Sequence, residues 1–79
     1  MATTDTAYDT VGNIMRYEAG ELSDRETCEL FAHLITTGAA WQLQGHYGRG
    51  ATYLVQHGLI NVDPETGVAT VNHDLVKED

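Results

Sequence analysis

Apolar residues recur along this chain at spacings of three and four, and glycine interrupts the pattern at regular intervals. Tyr8, Val11, Ile14 and Met15, extended to Glu18, fit one face of a short first helix over about residues 8 to 19, with Gly20 placed to end it. Ser23-Asp24-Arg25-Glu26 then has the form of a capping box. The Ser23 hydroxyl takes the Glu26 amide proton, the Glu26 carboxylate returns to the Ser23 amide, and acids in the first turn suit the helix dipole. Leu22 stands ready to staple the start onto Thr27 or Cys28. Cys28, Phe31, Leu34, Ile35 and Gly38 make one apolar stripe, so a second helix is predicted from about Asp24 to Thr37.

A third helical pattern opens near Ala39, with Trp41, Gln44, Tyr47 or Gly48, Ala51, Leu54 and Val55 on one face. Its glycines are the anomaly. Gly45, Gly48 and Gly50 each cost about 0.8 to 1 kcal/mol relative to alanine inside a helix. Either the helix breaks near Gly45-His46, or the glycines let another backbone come close. Gly58 reads as the next helix end, Leu59 to Val62 as extended chain, Asp63-Pro64-Glu65-Thr66-Gly67 as a turn and Val68 to Val71 as a returning strand. The predicted class is mainly α. It is a small domain of three to four helices with a short C-terminal β-hairpin or extended segment. Residues 1–7 form a flexible arm, 8–62 the helical domain, and 63–79 the hairpin and an acidic tail too short and charged to add to the core.

Charge sharpens this picture. The net charge is −8, yet Leu30 to Val62 contains no acid and one permanent charge, Arg49. Seven acids precede that segment and five follow it. Four scattered Lys and Arg cannot form the continuous basic face that phosphate binding requires, so nucleic acid is not expected as a partner. No apolar run approaches the roughly 20 residues needed to cross a bilayer, and no signal-peptide pattern opens the chain, so a soluble protein is expected. The single Cys28 excludes an internal disulfide and suits a reducing cytosol, and the four histidines lack paired metal-ligand spacing. At 79 residues the core is marginal, and a second copy of the chain is the simplest addition to it.

The segments Gly20-Glu21-Leu22-Ser23-Asp24, Glu29-Leu30-Phe31, Thr37-Gly38, Ala40-Trp41, Leu43-Gln44-Gly45, Tyr47-Gly48-Arg49 and Gly58-Leu59-Ile60 carry a resemblance. Over about residues 13 to 60 the chain resembles a family of small proteins of unknown function encoded by tailed bacteriophages, notably those of actinobacteria. The resemblance implies a phage origin and expression in the cytoplasm of an infected bacterium. It implies no activity.

The central polar residues allow two chemistries. Gln44, His46 and Arg49 could line a small-ligand pocket in which Arg49 clamps an anion. Alternatively Trp41 and Tyr47 pack in the core or an interface, and Arg49 pairs with Glu18, Glu26 or Glu29. No catalytic residue, metal ligand or cofactor is expected: Cys28 lies on an apolar face, no Ser or acid stands at a telling distance from His46, and His33, His57 and His73 read as solvated. The leading expectation is a non-enzymatic accessory protein that binds a host or phage protein and forms a homodimer or higher oligomer. Its expected interface or binding residues are Phe31, Trp41, Gln44, His46, Tyr47, Arg49, Tyr53 and Leu54. The alternative is a winged helix-turn-helix, which three helices and a hairpin also describe, with the third helix entering DNA.

Overall fold

The computed structural model describes residues 8–43 and 45–76. The expected arm over residues 1–7, Gln44 and the last acidic residues lie outside this range. Helix α1 spans Thr10–Glu18, α2 Asp24–Thr37 and α3 Gly45–Gln56, with a single 3-10 turn at Ala39–Trp41 between α2 and α3. Strands β1, Ile60–Val62, and β2, Ala69–Val71, pair antiparallel with Ile60 opposite Val71 and Val62 opposite Ala69. The chain is mainly α with a short hairpin, as its pattern predicts.

Capping explains the bounds of α2. The Ser23 hydroxyl accepts from the Glu26 amide at 3.1 Å and the Glu26 carboxylate accepts from the Ser23 amide at 3.0 Å. At the other end Gly38 takes the left-handed conformation, φ 84°, which only glycine adopts without penalty. The Asp9 carboxylate caps α1 by accepting from the Gly12 amide at 3.0 Å. The break before α3 falls just ahead of Gly45, so that glycine opens the helix instead of weakening its interior.

Helix α2 is the central element, touching α1, the 3-10 turn, α3 and β2. Leu30, Phe31, Leu34 and Ile35 project from it into one core with Ala40, Tyr47, Ala51, Ile60 and Ala69. The hairpin therefore shares the core of the helices. Thr36 fastens it, since its hydroxyl donates to the Ala32 carbonyl at 2.9 Å and accepts from the Ala69 amide at 2.8 Å. Asn72 then turns the chain back, donating through its side chain to the Gly58 carbonyl at 3.0 Å and accepting at its own carbonyl from Val76 at 2.9 Å.

Two expectations need correction. The inward face of α1 is Ile14 and Tyr17, which pack against the core, whereas Val11 and Met15 are bare. Period alone does not say which of two apolar faces meets α2, and the Tyr17 ring wins by meeting Phe31 edge-on at 5.4 Å. The residues after Asn72 do add to the core, because two turn hydrogen bonds to the Asn72 carbonyl bring Val76 inside. The glycine that permits close approach within the chain is Gly50, where an added Cβ would stand 3.0 Å from Phe31 Cε2 and 3.2 Å from Cζ. An open backbone there lets α3 settle on the Phe31 ring.

Candidate functional site: the outer face of helix α3

Helix α3 has two faces. Tyr47, Ala51 and Leu54, at spacings of four and three, turn inward; Gly45, Gly48, Thr52 and Gln56, on the opposite side, form the floor of a surface groove. Trp41 leaves the 3-10 turn and lies against the bare backbone of Gly48, where an added Cβ would be 3.7 Å from its ring. Tyr53 forms another wall, its ring 4.1 Å from that of His57. Beyond Trp41 the groove continues past Thr52, Val55 and Gln56 to Val62 and Gly67 at the hairpin. Trp41 is 57% exposed and Tyr53 56% exposed, with Val55 and Val62 exposed beside them. Among the described residues no carboxylate lines either part of the groove.

Arg49 stands at the start of this groove. Its guanidinium reaches back over Gly45, where an added Cβ would stand 3.1 Å from Nη1. The expected ion pair with Glu18, Glu26 or Glu29 does not form: among the described residues Arg49 is exposed and has no acidic partner. Those acids are committed elsewhere. Glu18 accepts from the Tyr47 hydroxyl at 2.5 Å, Glu26 caps α2 and pairs with Arg16 at 3.8 Å, and Glu29 pairs with Arg25 at 3.3 Å. The physical reason lies in the helix period, because Arg49 is turned roughly 160° away from Tyr47, which faces α1 and α2.

The expected binding residues therefore divide. Trp41, Arg49 and Tyr53 share the groove, whereas Phe31 and Tyr47 are core residues and present no surface to a partner. Leu54 is half-buried against that core. His46 is exposed with its ring 4.2 Å from Tyr47, away from the groove, so the pocket expected around Gln44, His46 and Arg49 does not assemble from the described residues. Thr52, Val55, Gln56 and Val62 were not anticipated. The spacing Gly45, Gly48, Thr52, Gln56 was the available signal, because it marks a second continuous face of small and uncharged residues.

Burial pushes the Cys28 thiol up, with Asp24 and Glu29 adding to the effect, which leaves it an inert hydrophobic side chain. Burial, followed by the hydrogen bond to Glu18 and the Glu18 charge, raises the Tyr47 hydroxyl far above its usual range. Among the described residues no group of three or more His, Cys, Asp or Glu could hold a metal ion, and no helix is long and apolar enough to cross a membrane.

Compared with known proteins, the chain matches the family described as Domain of unknown function (DUF7417) over residues 6–79, and it belongs to that family. No curated protein and no solved structure matches it.

Proposed function

We propose that this member of the DUF7417 family is a small accessory protein that works by binding other protein chains through the outer face of α3, itself forming a homodimer. One observation carries the reading. In a chain of net charge −8, the exposed Trp41 and Tyr53 border a groove that, among the described residues, contains no acid and one cation without an acidic partner, Arg49. Aromatic residues and Arg supply most of the binding energy in protein interfaces, and acids are depleted from interface centres. The marginal core adds support, since α1 buries no residue completely and association would stabilise so small a fold.

The resemblance of residues 13 to 60 to small tailed-bacteriophage proteins supports the rest of the proposal: a phage gene, a product acting in the cytoplasm of an infected bacterium, and a host or phage protein as target. Light scattering on a sizing column is the direct test. Wild type should run as a dimer, and Trp41→Ala with Tyr53→Ser should run as a folded monomer. A wild-type chain that stays monomeric at high micromolar concentration removes the dimer. Affinity capture from infected and uninfected lysate, with the double variant as control, then identifies the target.

The order of three helices and a hairpin favours one competing reading, a winged helix-turn-helix with α3 as the recognition helix. A face with Arg49 as its single permanent charge makes too few phosphate contacts for that role. Retention of any duplex by the purified protein in a low-salt gel shift would replace the protein-binding reading.

A further inference from the structure

We propose that the groove of α3 receives the outer ridge of α1 from a second copy of the chain. This rests on the groove being a protein-binding face and names its occupant. The ridge is Val11 and Met15, one turn apart on α1 and 69% and 65% exposed, more than any other large hydrophobic among the described residues. It is left outside its own core, against which Ile14 and Tyr17 of the same helix pack. An apolar pair at this spacing is what a helix lays into a groove, and a floor of Gly45, Gly48 and Thr52 lets the backbone of such a helix come close. A Met thioether also packs well against aromatic rings, and the groove offers Trp41 and Tyr53.

Charge selects the copy and its orientation. Glu21 lines the surface beside Met15 and is exposed without a cationic partner among the described residues, while the nearby Arg16 is turned to Glu26. Arg49 is the complementary group on the groove. Pairing α3 with α3 instead would leave Val11 and Met15 bare and would bring together two copies of Arg49, which has no acidic partner among the described residues. Ridge in groove covers both bare faces and matches Glu21 of one copy with Arg49 of the other. Helices α1 and α3 meet through their inward faces, with the Tyr17 and Tyr47 rings 5.7 Å apart; that a two-fold axis forms both ridge-in-groove contacts at once is part of the proposal.

Charge reversal tests this with chains that should all fold, since the altered side chains are exposed; circular dichroism confirms that they do. Arg49→Glu alone and Glu21→Arg alone each place like charges across both contacts and should weaken the dimer by about tenfold or more in sedimentation equilibrium. An equimolar mixture of the two variants restores opposite charges at both contacts and should associate nearly as tightly as wild type. Val11→Ser with Met15→Ser should abolish association. Loss of association in Arg49→Glu with wild-type behaviour in Glu21→Arg and in the Val11, Met15 variant would overturn the ridge and leave the groove as a binding face. A mixture no tighter than its components, or a monomeric wild type, would also overturn the proposal. Wild-type dimerisation in every variant, the Trp41, Tyr53 pair included, would remove the groove as well.

Discussion

The Tyr47 hydroxyl donates to the Glu18 carboxylate at 2.5 Å, which ties the start of α3 to the last residue of α1 across 29 positions of sequence. Tyr47 is buried among Phe31 and Tyr17 while Glu18 reaches solvent, so the bond sits at the edge of the core. Tyr47→Phe should keep the ring packing and lose about 1 kcal/mol, and Tyr47→Ala should lose about 3 to 5 kcal/mol. Thermal melts check both, with a midpoint drop of roughly 4 to 8 °C per kcal/mol in a domain of this size.

The same bond sets a pH dependence. The Tyr47 hydroxyl titrates well above its usual value near 10, because burial and Glu18 disfavour the phenolate. Above that value the unfolded chain releases the proton first, so stability present at lower pH is lost as pH climbs. Melting midpoints should therefore fall from about pH 10 upward, and less steeply in Tyr47→Phe. Tyr8, raised in the same direction by burial first and then by Glu29, retains its share in that variant. Equal slopes in the two proteins would show that Tyr47 is not the titrating group.

Arg49→Ala should fold as well as wild type, within about 0.5 kcal/mol, because an exposed cation without an acidic partner among the described residues leaves no carboxylate orphaned when removed. The loss should appear only in binding. A fall of several kcal/mol in a denaturant titration would mean that Arg49 is a structural ion-pair partner.

The bounds of α2 were legible in the sequence because its end signals are local: a capping box four residues long and a glycine with positive φ. What it hid is long-range. Nothing near Tyr47 names Glu18 as its partner, and Asn72 gathers Val76 inward through bonds that only the folded loop creates. The faces were harder still. In α3 the inward row of Tyr47, Ala51 and Leu54 and the outward row of Gly45, Gly48, Thr52 and Gln56 are both periodic, and Trp41 seemed to extend the first until the 3-10 turn carried it to the second. Of the expected binding residues, only those whose side chains escape the core in the finished fold, Trp41, Arg49 and Tyr53, meet in one groove.

The glycines separate by what stands opposite them. At Gly50 a methyl group would press on Phe31, which Tyr17 and Tyr47 hem in, so Gly50→Ala should cost about 1 kcal/mol or more despite the better helix propensity. Gly48→Ala meets only ordinary contact distances and should stabilise the single chain by about 0.5 to 1 kcal/mol. At Gly12 an added Cβ runs into the Asp9 carboxylate, so Gly12→Ala should lose part of the roughly 1 kcal/mol of that cap. Denaturant midpoints measured at low protein concentration separate the three.

Thr36→Val removes the acceptor for the Ala69 amide and should cost about 1 to 3 kcal/mol by leaving that donor unpaired. Hydrogen exchange is the sensitive reading. The Ala69 amide should lose protection first, ahead of the amides of α2.

Trp41 is the only tryptophan in the chain and stands at the centre of the proposed interface, so its fluorescence reports on that face alone. Its emission should begin at the wavelength of a water-exposed indole in dilute solution and move to shorter wavelength as concentration rises, over the same range in which sedimentation shows the mass doubling. An emission maximum that stays that of an exposed indole at every concentration, with a monomeric mass throughout, would contradict the assignment of the α3 groove as the surface through which this protein assembles.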